Sequence, residues 1–120
     1  MKNINERTFN FAVRIVRLCR FLEQQSGVEQ TISKQLLRSG TSIGANVEEA
    51  QAGQSKPDFI SKMSIALKES RETLYWLRIL ETTEVVVSNK LNDLKVEAEE
   101  ITKGSGFHNR FNKEKCIMQS

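Results

Sequence analysis

One histidine, one proline, one tyrosine, one tryptophan and two cysteines are all that this 120-residue chain holds of those types. Each scarcity excludes something. The single histidine, His108, stands in a stretch with no helical period, so a Ser-His-Asp or Cys-His centre would have to be built on irregular chain. A di-iron site of the Glu-x-x-His kind, common in helical bundles, has Ser105 rather than Glu three residues before that histidine. Cys19 and Cys116 show no metal or redox spacing, and Cys19 falls on an apolar helix face, where it reads as a small buried hydrophobe in a reducing compartment. No glycine-rich phosphate loop occurs. No apolar run reaches the length of a membrane span, and the first residues lack a signal-peptide pattern. The expectation is a cytoplasmic protein off the membrane, with no catalytic residues, no metal and no cofactor.

Charge is present but balanced. Lysine and arginine number 18 against 15 acidic residues, a net +3, with a pI near 9.0. Much of the excess is local, because residues 104–120 carry Arg110, Lys113 and Lys115 against Glu114. The preceding 103 residues are almost neutral, so any nucleic-acid footprint must come from where the charges sit.

The apolar residues recur at helical steps in four stretches. The first runs from about Asn5 to Gln25 and stops at Ser26-Gly27, where the glycine is expected to take a left-handed cap. Ser26 and Glu29 fit a capping box opening a second helix that ends before Gly53. Ser55-Lys56-Pro57-Asp58 opens a third, with the only proline in its first turn. That helix reaches about Glu81, and Thr82 to Val87 reads as an extended connection. Ser88 or Asn89 then caps a fourth helix with Leu91, Leu94, Ala98 and Ile101 in phase, short by comparison with the others. The pattern predicts an all-α fold, an antiparallel up-down four-helix bundle over 1–103, with an irregular and disordered tail over 104–120.

Within the second stretch, Ile32, Leu36, Gly40, Ile43, Val47 and Ala50 share one face. Gly40 and Gly44 lie on or beside it, each at a cost of about 1 kcal/mol relative to alanine. They are expected to admit a neighbouring helix at close range. The run from Leu37 to Ala50 around these glycines resembles the signature of the bacterial four-helix-bundle proteins of the 23S rRNA intervening-sequence type. Asp58-Phe59, Ile65 to Thr73 and Tyr75-Trp76-Leu77 are similar to the same family. The resemblance implies an antiparallel bundle that assembles into a homopentamer and has no catalytic activity. It also implies two possible partners, nucleic acid and a reverse transcriptase, because the related accessory protein of diversity-generating retroelements binds both. A family member's fourth helix would continue in phase, whereas this chain departs at Gly104, which reads as an altered C-terminus.

Two helices carry more apolar surface than one bundle needs. The first holds the stripe Phe9, Ala12, Val13, Val16 and Cys19 beside a second, Phe11, Ile15, Leu18 and Leu22, and the latter is assigned to an oligomer interface. The third has a core stripe of Phe59, Met63, Ala66, Ser70, Thr73, Leu77 and Leu80. It also has a separate seam of Ile65, Glu69, Glu72, Trp76 and Ile79, likewise assigned to the interface. Arg20 lies on the apolar side of the first helix and is expected to pair with a carboxylate such as Glu49, Glu69 or Glu72, within the chain or across an interface. Finally, Lys68, Arg71, Tyr75 and Arg78 fall on the solvent side of the third helix, and Arg7, Arg14 and Arg17 on the first, with Phe21 among them. Cations can neutralise phosphates and aromatics can stack on bases. The six cations and Tyr75 are the candidate nucleic-acid surface of a non-enzymatic scaffold. The alternative is a protein-protein interaction module without nucleic-acid contact.

Overall fold

Side-chain and glycine caps define the starts of three helices. Asn3 Oδ1 accepts from the Glu6 amide at 2.8 Å and opens α1, Ile4–Glu23. Gly27 opens α2, Val28–Ala52. Ser55 Oγ accepts from the Asp58 amide at 3.2 Å and opens α3, Lys56–Thr82, with Pro57 in its first turn. The fourth, α4, is Ser88–Thr102. This computed structural model describes residues 3–53, 55–86 and 88–103. The expected tail, with His108 and Cys116, lies outside them. Each helix packs against the next along the chain, α1 on α2, α2 on α3 and α3 on α4, while α1 and α4 touch sparsely. The result is an antiparallel four-helix bundle with a short fourth helix, and α1 and α3 lie diagonally across it.

The α3 core stripe is buried as expected, from Phe59 through Met63, Ala66, Ser70, Thr73 and Leu77 to Leu80. So are Leu91, Leu94, Ala98 and Ile101 of α4. On α1 most of the stripe assigned to an interface turns inward instead, alongside Cys19 of the other stripe. Phe11, Ile15 and Leu22 are only 1%, 0% and 0% exposed, and Leu18 packs against the same core. Phe11, Ile15 and Leu22 fill the bundle's own interior, while Leu18 is half-buried at its edge. Phe9, on the other stripe, is 60% exposed.

The glycines explain which α1 stripe turns inward. A Cβ built on Gly40 would lie 2.8 Å from Ile15 Cγ2 and 2.9 Å from Cγ1. At Gly44 it would meet the backbone and hydroxyl of Thr8 at 3.4 Å. Both glycines therefore sit under α1, which approaches α2 through the Thr8-Ile15 line.

Buried hydroxyls tie each helix to the next. Ser33 Oγ donates to the Cys19 carbonyl at 3.3 Å, and the Cys19 thiol donates to the Ser33 carbonyl at 3.5 Å. Burial pushes the thiol pKa up, with the charge of Glu23 adding, so it keeps its proton near neutrality. Thr73 and Ser39 hydroxyls are 2.9 Å apart across α3 and α2, and Thr102 reaches Ser70 at 3.2 Å across α4 and α3. A slipped register would strand these polar groups in an apolar core, at about 1–3 kcal/mol each.

Two turns differ from expectation. No capping box forms at Ser26, since Gly27 is the N-cap of α2 with φ 77° and no side-chain cap bond. Gln30 Nε2 instead donates to the carbonyls of Glu23 and Gln25, at 3.2 and 2.7 Å, satisfying the end of α1. The connection after α3 begins as a helix-ending turn rather than extended chain. The amides of Glu84 and Val85 return to the carbonyls of Glu81 and Leu80 at 3.2 and 3.3 Å, the double closure of a Schellman motif. Glu84 occupies the left-handed position, φ 59°, where glycine is the usual residue. Replacing Glu84 with glycine should raise stability by about 1 kcal/mol, since an L side chain costs about 1–2 kcal/mol in that conformation. Thermal melts would show a higher Tm, and a lower one would contradict the strain.

Candidate nucleic-acid interface

Lysine and arginine residues divide by whether a carboxylate of the same chain already holds them. Arg7 is held: its Nε and Nη2 donate to the two Glu97 oxygens at 2.7 and 2.9 Å, and Nη2 also reaches Glu100. Hydrogen bonding to Glu97 raises its pKa, with both carboxylate charges adding and burial partly opposing. Arg7 thus clasps α1 to α4, unlike the other cations of the set proposed from sequence. Arg38 is held by Glu69 at 3.3 Å and by Glu72. Lys62 reaches Glu49 at 2.9 Å, and Lys95 reaches Glu81 at 2.8 Å.

The other sequence-predicted cations stay outside these pairs. Lys68, Arg71 and Arg78 are exposed on α3, and no described ion pair includes them. Tyr75 stands between Arg71 and Arg78 at 56% exposure. Its ring meets Trp76 edge-on, with centroids 5.4 Å apart and planes at 70°. Beside it Tyr75, Arg78, Ile79, Thr82 and Thr83 line a shallow depression of about 240 Å³. The charge of Arg78 also bears on α4: the hydrogen bond that Lys95 donates to Glu81 raises the Lys95 pKa, and Arg78 pushes it the other way. On α1, Arg17 is exposed and Arg14 half-buried, again outside the described ion pairs. Phe21, one turn beyond Arg17, is 40% exposed. The α1 and α3 arrays lie on diagonal helices with α4 between them.

The seam assigned to an interface is half-sealed from within. Ile65 is 37% exposed, while Glu69, Glu72, Trp76 and Ile79 are half-buried. Trp76 Nε1 donates to Glu72 Oε2 at 3.0 Å, and Glu72 pairs in turn with Arg38. Arg38, not Arg20, therefore neutralises the seam. Arg20 is exposed, has no carboxylate among the described ion pairs, and rims an apolar groove with Val16 and Leu37. The choice between the arginines cannot be read from sequence, because partners 31 and 34 residues apart are set by the register of two helices. Among the described residues, no group of three or more His, Cys, Asp or Glu side chains could hold a metal. No helix there is long and apolar enough to cross a membrane.

The family described as 23S rRNA-intervening sequence protein matches residues 2–105. A crystal structure of a protein of unknown function from the S23 ribosomal protein family of Bacteroides thetaiotaomicron is 48% identical. The match covers 82% of this chain and 91% of that one, with a TM-score of 0.76. No curated protein matches it.

Proposed function

Starting from a chain that belongs to the 23S rRNA-intervening sequence protein family, we infer a non-enzymatic helical scaffold that binds RNA through the cations outside its described ion pairs. One observation carries this reading. The chain's own carboxylates neutralise Arg7, Arg38, Lys62 and Lys95 but leave Lys68, Arg71 and Arg78 in line around an exposed Tyr75. A phosphate backbone would supply counter-charges to these cations, and the tyrosine offers a ring to a base. Copies of the chain would assemble through the Ile65-Trp76-Ile79 seam, a pentamer being the expectation carried by the resemblance. A ring would repeat a weak basic stripe and turn it into avidity. An assembly of this kind could also present RNA to a processing enzyme such as a reverse transcriptase.

Fluorescence anisotropy with a hairpin RNA at several salt concentrations tests the reading. Affinity should fall steeply with salt, because each phosphate contact releases counterions. Lys68→Glu combined with Arg78→Glu should abolish binding while circular dichroism stays unchanged. A binding curve indifferent to salt, or to the double reversal, would remove α3 from nucleic-acid contact. One observation favours a second reading, a protein-interaction module without RNA: Phe9 and Leu37 are 60% and 39% exposed on α1 and α2.

A further inference from the structure

The sparse contact between α1 and α4 has a counterpart in space. Near the α3–α4 connection the two helices part around a groove of about 350 Å³, lined by Arg14, Arg17, Leu18, Phe21, Val86 and Leu94. That volume is at the lower end of the range for small-molecule sites, about 300–1,000 Å³. It has room for a planar base and its sugar, and is small for a helix, which is about 10–12 Å across with side chains. The floor is apolar, with Val86 and Leu94 only 4% and 5% exposed. One edge is cationic. Arg14, Arg17 and Phe21 follow one another at steps of three and four, so they form a single line along α1. Neither arginine takes part in a described ion pair.

An occupant of this groove needs a flat apolar body for the floor and the Phe21 ring, and anionic groups about one helical turn apart for the arginines. We propose that the α1–α4 groove holds one unpaired nucleobase of a single strand, stacked on Phe21, with the neighbouring phosphates on Arg14 and Arg17. The proposal rests on the nucleic-acid reading above and narrows it. Bases inside a duplex present only their edges and cannot enter, so the protein discriminates looped or single-stranded from double-stranded nucleic acid. Stacking tolerates any base, because every base has a π-face. No sequence preference is expected at this position.

The test uses a short uridine-rich RNA strand carrying one 2-aminopurine, whose fluorescence falls when it stacks. Addition of the protein should quench it, and the single strand should bind at least tenfold more tightly than its duplex. Phe21→Ala should lose the quench and about five- to hundredfold in affinity, with helix content unchanged because the side chain is part-exposed. Phe21→Trp should restore both. Arg14→Ala and Arg17→Ala should each flatten the dependence of log affinity on log salt by about 0.7. The same sequence made as DNA reports whether base and phosphate suffice, and quenching in that strand supports the same groove. Salt-dependent binding with no quench, or equal affinity for duplex and for Phe21→Ala, overturns the groove and leaves the α3 surface standing. A wild-type protein that binds neither strand nor duplex overturns both.

Discussion

Gly40→Leu should destabilise the bundle by about 1–3 kcal/mol, the usual cost of overpacking. On a domain of this size that is a fall of several degrees in Tm. Even the first carbon of the new side chain would lie 2.8 Å from Ile15 Cγ2. Ile15 is fully buried and β-branched, with little freedom to turn away. Leucine's better helix propensity returns less than 1 kcal/mol, so the clash dominates. Gly44 supplies the control. Its nearest neighbours would be at 3.4 Å, ordinary contact, and Gly44→Ala should be neutral or slightly stabilising. Shortening the opposing side chain should relieve the strain, making Gly40→Leu with Ile15→Ala less unstable than the two single changes added together. An unchanged Tm for Gly40→Leu would mean that α1 does not approach α2 there.

Truncating Trp76 should produce the other large effect, on two readouts at once. The indole is half-buried against the core and its Nε1 donates to Glu72 at 3.0 Å. Trp76→Ala should cost about 2–3 kcal/mol, below the 3–5 kcal/mol typical of fully buried aromatics. Trp76→Phe keeps most of the ring and forfeits the hydrogen bond, about 1 kcal/mol. If the seam joins subunits, sedimentation should show wild-type oligomers and a shift of Trp76→Ala towards monomers, with far-ultraviolet circular dichroism largely retained. A wild-type protein that sediments as a monomer at micromolar concentration sinks the assembly and leaves the packing of Trp76 intact.

Much of the fold was legible because helix periodicity is a local signal. The buried face of α3 matches its predicted stripe residue for residue, and Ser55 with Pro57 marks that helix's start as it should. Periodicity could not choose between the two apolar stripes of α1. Phe9 and Phe11 are equally apolar, and only the partner surface at Gly40 and Gly44 decides that Ile15 turns inward. An apolar period gives no weight to hydroxyls such as those of Ser33 and Ser39, yet each finds a partner on a neighbouring helix and is buried. Glu84 carries no chemical hint of a left-handed turn, and the chain adopts one there without the usual glycine. At the candidate site, sequence placed the exposed α3 stripe correctly on the outer face. It could not foresee that Arg7 is spoken for by α4, since that pairing depends on how four helices close.

The order in which the helices pack also bears on how quickly the chain finds its shape. Each of the well-packed interfaces joins helices adjacent in sequence, so each closes a loop of only a few residues and costs little chain entropy. Low contact order of this kind belongs with folding in microseconds to milliseconds. The longest-range bond described, from Arg7 to Glu100, spans 93 residues and adds a partly exposed charge pair rather than core burial. Closing α1 onto α4 can therefore come last, after the three local hairpins have already committed the chain to its topology.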